Sequence, residues 1–333
     1  MIRLALVGSS GHLSYVLSDL NRFPQVRTVA YAPSFEGEDT TPYAGLPHAV
    51  YYADWRSMLD NARPDIVVAC GRHDLNATIA TEAAKHGSHV ISEKPAATTL
   101  AALDALERAV RANSVQYTML LGMRYQSAWY TAHALVREGI IGAPLVISGQ
   151  KSYRWGRRPP WYANAATYGS TMAWVGIHIF DLARWIGGVP YTGVAAHHAN
   201  LAHPERPAAQ DACVIAATLA NGGSAAFALD YLRPRAAPTH GDDRLRIAGE
   251  RGVLEVCDNG QRLSVITRER HQPSWPLALP ERSFLGDMLA SLEGTGDLLV
   301  TAEQAWDMTR FSLLAAQAAD SRRWMDVTES GSW

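Results

Sequence analysis

Cysteine is scarce in this chain. Cys70, Cys213 and Cys257 are its three cysteines. They lie far apart and form no CxxC pair, which argues against a disulfide framework and a zinc knuckle. Excess charge of one sign is also missing. Thirty Lys plus Arg oppose thirty-two Asp plus Glu, for a formal charge of −2. No basic surplus exists to displace counterions from phosphates, so nucleic acid is not an expected partner. Long apolar runs are absent too. Leu4-Ala5-Leu6-Val7 falls far short of the roughly 20 residues that span a bilayer, and it is too short for a signal-peptide core. A membrane partner is therefore not expected, no metal site is expected, and the cytoplasm is the expected location.

What remains is ordinary globular material, 47% apolar and 19% charged over 333 residues. At about 150 residues per domain, that length suggests two domains. Up to residue 122 the pattern alternates in type. Residues 2–7, Val26–Ala32, Asp65–Cys70, His89–Ser92 and Tyr117–Leu121 read as strands. A helix fits between the first two, Leu75–His86 is helical before Gly87, and Leu100–Ala112 is an Ala/Leu-rich helix. Continuous apolar strands alternating with helices predict a parallel sheet covered on both faces. From 123 to 333 the character changes. Segments 145–153, 194–199, 212–219, 224–232, 245–248, 253–256 and 263–267 are strand candidates. Asn221-Gly222-Gly223 and Asp258-Asn259-Gly260 are hairpin signals between some of them. Helices are expected over Ile177–Ile186 and from about 281 and 301, and the final helix is a candidate to pack back on the first domain. The fold class is therefore an α/β doubly wound parallel sheet followed by an α+β domain with an open, mostly antiparallel sheet.

Gly8-Ser9-Ser10-Gly11-His12-Leu13 follows the first strand. A dinucleotide-binding turn needs glycines where a strand bends into a helix, so that amides approach the pyrophosphate. Gly8 holds the first such position, while Ser10 and Leu13 stand at the second and third; a plain strand–helix turn would read the same way. The acidic residue expected about 20 residues on for the adenosine ribose is missing. The second strand ends Tyr31-Ala32-Pro33-Ser34, and Glu36 and Asp39 could serve only by a detour. Further on, Glu93-Lys94-Pro95 closes the fourth expected strand, at the end where open α/β sheets bind ligands. A lysine there can hold a substrate hydroxyl and ease its deprotonation, or it can be a surface lysine before a turn proline. His178, Asp181, Leu182 and Trp185 recur at i, i+3, i+4 and i+7 of one helix face. An imidazole there can take a hydroxyl proton, or it can be a histidine satisfied by a helix neighbour.

The segment Val67–Leu106, with its glycine-then-Glu93-Lys94-Pro95 arrangement, resembles the Gfo/Idh/MocA family of NAD(P)-dependent oxidoreductases. So do Arg124-Tyr125, Glu138–Gly142, Gly176-Ile177-His178-Ile179-Phe180-Asp181 (the family's G-x-H-x-x-D) and the helix Ala302–Ser321. The resemblance covers nearly the whole chain. It implies a Rossmann domain, a C-terminal α/β domain with an open sheet, homodimers or homotetramers through that sheet, NAD or NADP as cofactor, and sugar-like or polyol substrates. By the same resemblance Lys94 and His178 are catalytic. Asp181 and Arg124 are candidate substrate ligands. Gly8, Ser10, Gly11, His12, Leu13, Ser34, Gly71, Asn76, Glu93 and Lys94 are candidate cofactor ligands.

The chain also departs from the family. Trp174 stands where an aspartate usually precedes the histidine by four residues, and an indole cannot stabilise an imidazolium as a carboxylate does. Tyr168 and Ser170 replace usual glycines, and Arg72 and Asn76 replace a usual proline and histidine. Ten tryptophans occur in the chain, and Trp129, Trp155, Trp161, Trp174 and Trp185 crowd between 129 and 185. Indole faces suit a sugar ring, so Trp155 and Trp161 are substrate-stacking candidates, with a core role as the alternative. Arg154, Arg157 and Arg158 are candidates for a substrate anion or for a solvated loop. Three functions follow: a sugar or polyol dehydrogenase, a ligand-binding or regulatory protein that has lost hydride transfer, and an NAD-assisted lyase or glycosidase.

Overall fold

The computed structural model describes residues 1–43 and 45–329, which fold into two compact units. The first comprises Met1–Gly122 and Arg282–Thr309; the second comprises Met123–Glu281 and the segment from Arg310 onward. Residues 282–309, which lie beyond the sequence boundary at 122, group with the first unit and include the start of the final helix. There Thr118 Oγ1 donates to the Val300 carbonyl at 2.8 Å, and Ala96 N–H to Thr309 Oγ1 at 3.3 Å. Among the described residues no helix is long and apolar enough to cross a membrane.

In the first unit, β1 (Ile2–Val7), β2 (Val26–Ala32), β3 (Val50–Tyr51), β4 (Ile66–Ala69), β5 (His89–Ser92) and β6 (Tyr117–Met119) form a six-stranded sheet in the order β3-β2-β1-β4-β5-β6. Every pair is parallel. All of β4 is buried, as a strand covered on both faces requires. Two elements escape the sequence pattern. Edge strand β3 has two exposed residues and so carries no burial signal. The helix between β1 and β2 shrinks to one turn, α1 (Ser14–Leu17), with a 3-10 turn after it. The other helices are α2 (Trp55–Ala62), capped by Asp54; α3 (His73–Lys85); and α4 (Leu100–Ala112), capped by Thr99. Chain order runs outward from β1 to β3, then crosses back to β4. The C-terminal ends of β1 and β4 therefore flank the switch point at which such sheets bind ligands.

The second unit opens with α5 (Ser127–Arg137), a helix absent from the sequence expectations although Ala128, Trp129, Ala132, Leu135 and Val136 line its buried side. Then come β7 (Pro144–Tyr153), α6 (Ala165–Tyr168), a π-helical turn over Met172–Gly176 and α7 (Ile177–Gly187). Strands β8 (Tyr191–Ala199), β9 (Ala212–Leu219), β10 (Ser224–Asp230), β11 (Gly241–Gly249), β12 (Gly252–Cys257), β13 (Arg262–Thr267) and β14 (His271–Gln272) follow. After them the chain forms α8 (Phe284–Glu293), α9 (Ala302–Ser321) and β15 (Met325–Asp326). The nine-stranded sheet runs β14-β13-β12-β11-β7-β10-β9-β8-β15 and is antiparallel except between β7 and β10. Strict alternation of buried and exposed residues in β9 and β10 marks one covered and one open face. On the covered face α7 packs so closely that a Cβ on Gly149 would strike Ile179.

Candidate active site

The loops after β1 and β4 meet at Gly8 and Gly71. Gly8 has a φ of +77°, and a Cβ there would fall on the Cα of Gly71, so glycine is required both for conformation and for space. Gly8 N–H donates to the Ala32 carbonyl at 2.9 Å and Ser10 N–H to the Cys70 carbonyl at 2.7 Å. Tyr43 Oη–H donates to the Gly8 carbonyl. Gly71 N–H is held by Asn76 Oδ1 at 2.9 Å. The buried Asn76 Nδ2 has no hydrogen-bond partner among the described residues. A side-chain-free cradle at the switch point, with an unengaged buried donor beside it, fits a dinucleotide. Leu13 contributes a buried apolar side chain and begins α1 without a side-chain capping bond.

No carboxylate ends β2 itself, but Glu38, which lies between the Glu36 and Asp39 considered from sequence, reaches the glycine turn. The chain turns at Gly37, whose φ is +83°, and brings Glu38 back against both loops. Its Oε1 accepts from Ser9 N–H at 3.1 Å and from Ser10 Oγ at 3.3 Å. Its Oε2 accepts from Ser34 N–H and Ser34 Oγ, both at 2.6 Å. No spacing rule points to Glu38, because its position depends on a loop reversal.

Glu93 and Lys94 follow β5 and are 0% and 2% exposed; the Lys94–Pro95 peptide is cis. The Glu93 carboxylate accepts from His12 N–H at 2.6 Å and lies 2.9 Å from His12 Nδ1. It fills the space that a Cβ on Gly11 would need. Burial would raise its pKa, but His12 and Lys94 outweigh that and hold the carboxyl below its ordinary value. Glu93 thereby ties the lysine-bearing loop to the glycine turn. Gly8, Ser10, Gly11, His12, Ser34, Gly71, Asn76, Glu93 and Lys94 accordingly belong to one connected cluster in the first unit.

In the second unit all of α7 is buried, and its Asp181 and Arg184 form buried ion pairs. Asp181 and Arg124, both read as substrate ligands, bind each other. Arg124 Nε donates to Asp181 Oδ2 at 3.0 Å and Nη2 to Oδ1 at 2.5 Å, with side chains 0% and 2% exposed. In this bidentate pair the two charges satisfy each other away from solvent. Arg124 also lies 5.1 Å from the Trp185 ring, which stacks on His133 at 4.0 Å. His178, 6% exposed, is the second residue of α7. That helix has no free N-terminal turn there, since the π-helical turn runs straight into it with Gly176 in helical geometry. Such π turns recur at functional sites.

Trp174 sits within the π turn in an aromatic cluster with Tyr162, Tyr168, Val175 and Tyr231. Trp155 and Trp161, half-buried, pack against this cluster. Trp155 meets Tyr231 edge-on at 4.8 Å, and Trp161 lies 4.3 Å from Tyr162. Arg158 spans the faces of Tyr162 and Tyr231 at 5.6 and 5.4 Å. One pair was invisible in the sequence. Lys151 and Asp243 are opposite each other in the β7–β11 register and form a buried ion pair at 2.8 Å. Only the pairing of strands some ninety positions apart creates it.

Two family models match this chain: an oxidoreductase family with an NAD-binding Rossmann fold over residues 2–121, and a GFO/IDH/MocA C-terminal domain over 129–255. A levoglucosan dehydrogenase from Pseudarthrobacter phenanthrenivorans is 30% identical over 141 residues, which is 41% of this chain and 36% of that protein. The oxidoreductase YrbE of Bacillus subtilis, itself uncharacterised, is 28% identical over 66% of this chain and 63% of its own. The chain thus spans less than two thirds of either curated relative. A solved structure from Thermotoga maritima, provisionally described as an oxidoreductase, superposes with a TM-score of 0.92 at 33% identity, covering 98% of this chain and 100% of the other. A levoglucosan dehydrogenase in complex with NADH and levoglucosan shares the fold, with a TM-score of 0.83 at 19% identity over 98% of this chain and 99% of that one.

Proposed function

Because the chain belongs to the Gfo/Idh/MocA family of oxidoreductases, we propose that it moves hydride between a nicotinamide dinucleotide and a secondary hydroxyl, or the matching carbonyl, of a sugar, polyol or derivative. The observation that carries this reading is Lys94. It is a buried lysine at the C-terminal end of β5, on a loop that Glu93 fastens to the glycine turn through His12. Bound dinucleotide supplies or accepts the hydride. Gly8, Ser10 and Gly11 let the backbone approach its pyrophosphate. Lys94 holds the substrate oxygen by a charge-assisted hydrogen bond and favours its deprotonated form. His178 moves the hydroxyl proton. Arg124 and Asp181 act as positioning residues for α7. Trp155 and Trp161 offer ring faces to the substrate. Sugar and polyol chemistry is supported by relatives described as levoglucosan and inositol dehydrogenases. The proposal includes a cytoplasmic location and a homodimer or homotetramer contact through the open face of the nine-stranded sheet.

Calorimetric titration is expected to show binding of a nicotinamide dinucleotide, and Lys94→Ala to abolish turnover on any substrate found. Failure of both NAD+ and NADP+ to bind at millimolar concentration would overturn the proposal; a fully active Lys94→Ala protein would remove Lys94 from the mechanism.

Trp174 favours a second reading, a sugar-binding protein without hydride transfer, because an indole in an aromatic cluster replaces the carboxylate that would support His178. Sugar binding without dinucleotide binding, unchanged in Trp174→Asp, is its expected signature.

A further inference from the structure

We infer that Glu38 replaces the carboxylate missing from the end of β2 and makes this chain select NAD+ over NADP+. The inference rests on the dinucleotide-dependent reading above and concerns the adenosine end alone. Glu38 is held by two kinds of donor. The backbone N–H groups of Ser9 and Ser34, at 3.1 and 2.6 Å, are fixed by the loops that carry them. The hydroxyls of Ser10 and Ser34, at 3.3 and 2.6 Å, are free to rotate about their own bonds. A carboxylate offers about four lone-pair sites, and these four donors occupy them. A ribose 2′,3′-diol presents two O–H donors of the same kind as the two serine hydroxyls. The hydroxyls can turn away, the diol can replace them, and the two amides keep the carboxylate in place. The exchange keeps four donors on the carboxylate at the position where Rossmann folds read the ribose.

NADP+ cannot make this exchange. Its 2′-phosphate carries a charge of about −1.5 to −2 near neutral pH and would face a carboxylate anchored by backbone. The cation that reaches this corner, Arg72, is already engaged by carboxylates, Asp74 by hydrogen bonds and Glu38 through space. Arg72 reaches this corner, its N–H donating to Ser34 Oγ at 3.2 Å. Its guanidinium, however, is paired with Asp74 at 2.7 and 2.9 Å and lies 5.0 Å from the Phe35 ring. A serine and an arginine beside β2 would otherwise suit a phosphate. Glu38 is therefore the residue that decides, although Ser34 occupies the expected position in sequence.

The test is direct binding to the full chain by calorimetry. Wild type is expected to bind NAD+ at least about tenfold more tightly than NADP+, and Glu38→Gln to lose about tenfold for NAD+ while gaining for NADP+. Thermal unfolding of the variant establishes that it folds. Independently of any variant, wild type should bind adenosine 5′-monophosphate more tightly than adenosine 2′,5′-bisphosphate. Equal or tighter binding of the 2′-phosphorylated compounds overturns the assignment, as does an unchanged NAD+/NADP+ ratio in a folded Glu38→Gln protein. Binding of neither dinucleotide instead overturns the dinucleotide-dependent reading, and this inference with it.

Discussion

Asp181 shows how a residue chosen for chemistry can serve packing. A histidine and an aspartate on one helix face look like a site, because a core face rarely holds two polar groups. Arg124 resolves the oddity by pairing with Asp181 through two hydrogen bonds in full burial. Removing one member of such a pair leaves an uncompensated buried charge. Asp181→Ala should therefore lower unfolding stability by about 3–5 kcal/mol, measured by urea denaturation. A joint replacement of Arg124 and Asp181 by Met and Leu should recover much of that loss. A stable Asp181→Ala protein with a raised KM would restore Asp181 to the substrate. His178 and Lys94 stand out in the sequence as candidates because their motifs are local. Glu38 and Lys151–Asp243 do not, because each is defined by a partner that only folding brings near.

At the level of elements, the contact between α5 and α7 carries a pH dependence. The His133 ring stacks on Trp185 at 4.0 Å, and its Nδ1 donates to the Trp185 carbonyl at 3.0 Å. Burial, reinforced by the charges of Arg124 and Arg137 and opposed by that hydrogen bond, pushes its pKa down from 6.5 to about 4. The unfolded chain thus takes up a proton near 6.5 that the folded chain refuses until about 4. In that window unfolding is favoured by acid, so stability is present above it and is lost as pH falls through it. Melting temperatures measured across the window should fall less steeply on acidification for His133→Gln than for wild type; parallel profiles would exclude the effect. The same helices show where sequence patterns reach their limit. The burial of α7 follows from its apolar content, whereas α5 was overlooked although its apolar spacing is helical, and the π turn that carries Trp174 has no compositional mark.

For the whole molecule, the decisive feature is the nine-stranded sheet with one face left open. Val214, Ala216, Ala226 and Ala228 of β9 and β10 are exposed on it, a flat apolar strip that a monomer rarely leaves bare. Light scattering should report a dimer or tetramer. Ala226→Arg should shift it toward monomer without lowering the unfolding midpoint, because that residue makes no core contact. A monomeric wild type would remove the open sheet from the assembly.

By itself the sequence determined what depends on neighbours along the chain. Alternating strands and helices dictated a parallel sheet, since continuous apolar strands need cover on both faces. The Gly8–Gly11 cluster marked the end of β1, and Glu93-Lys94-Pro95 marked the end of β5. Only the tertiary structure decided what depends on distant segments: the return of residues 282–309 to the first unit, the capture of Asp181 by Arg124, and the seating of Glu38 on Ser9 and Ser34. Hydrogen bonds and ion pairs act over a few ångströms of space, whatever the number of residues between the partners.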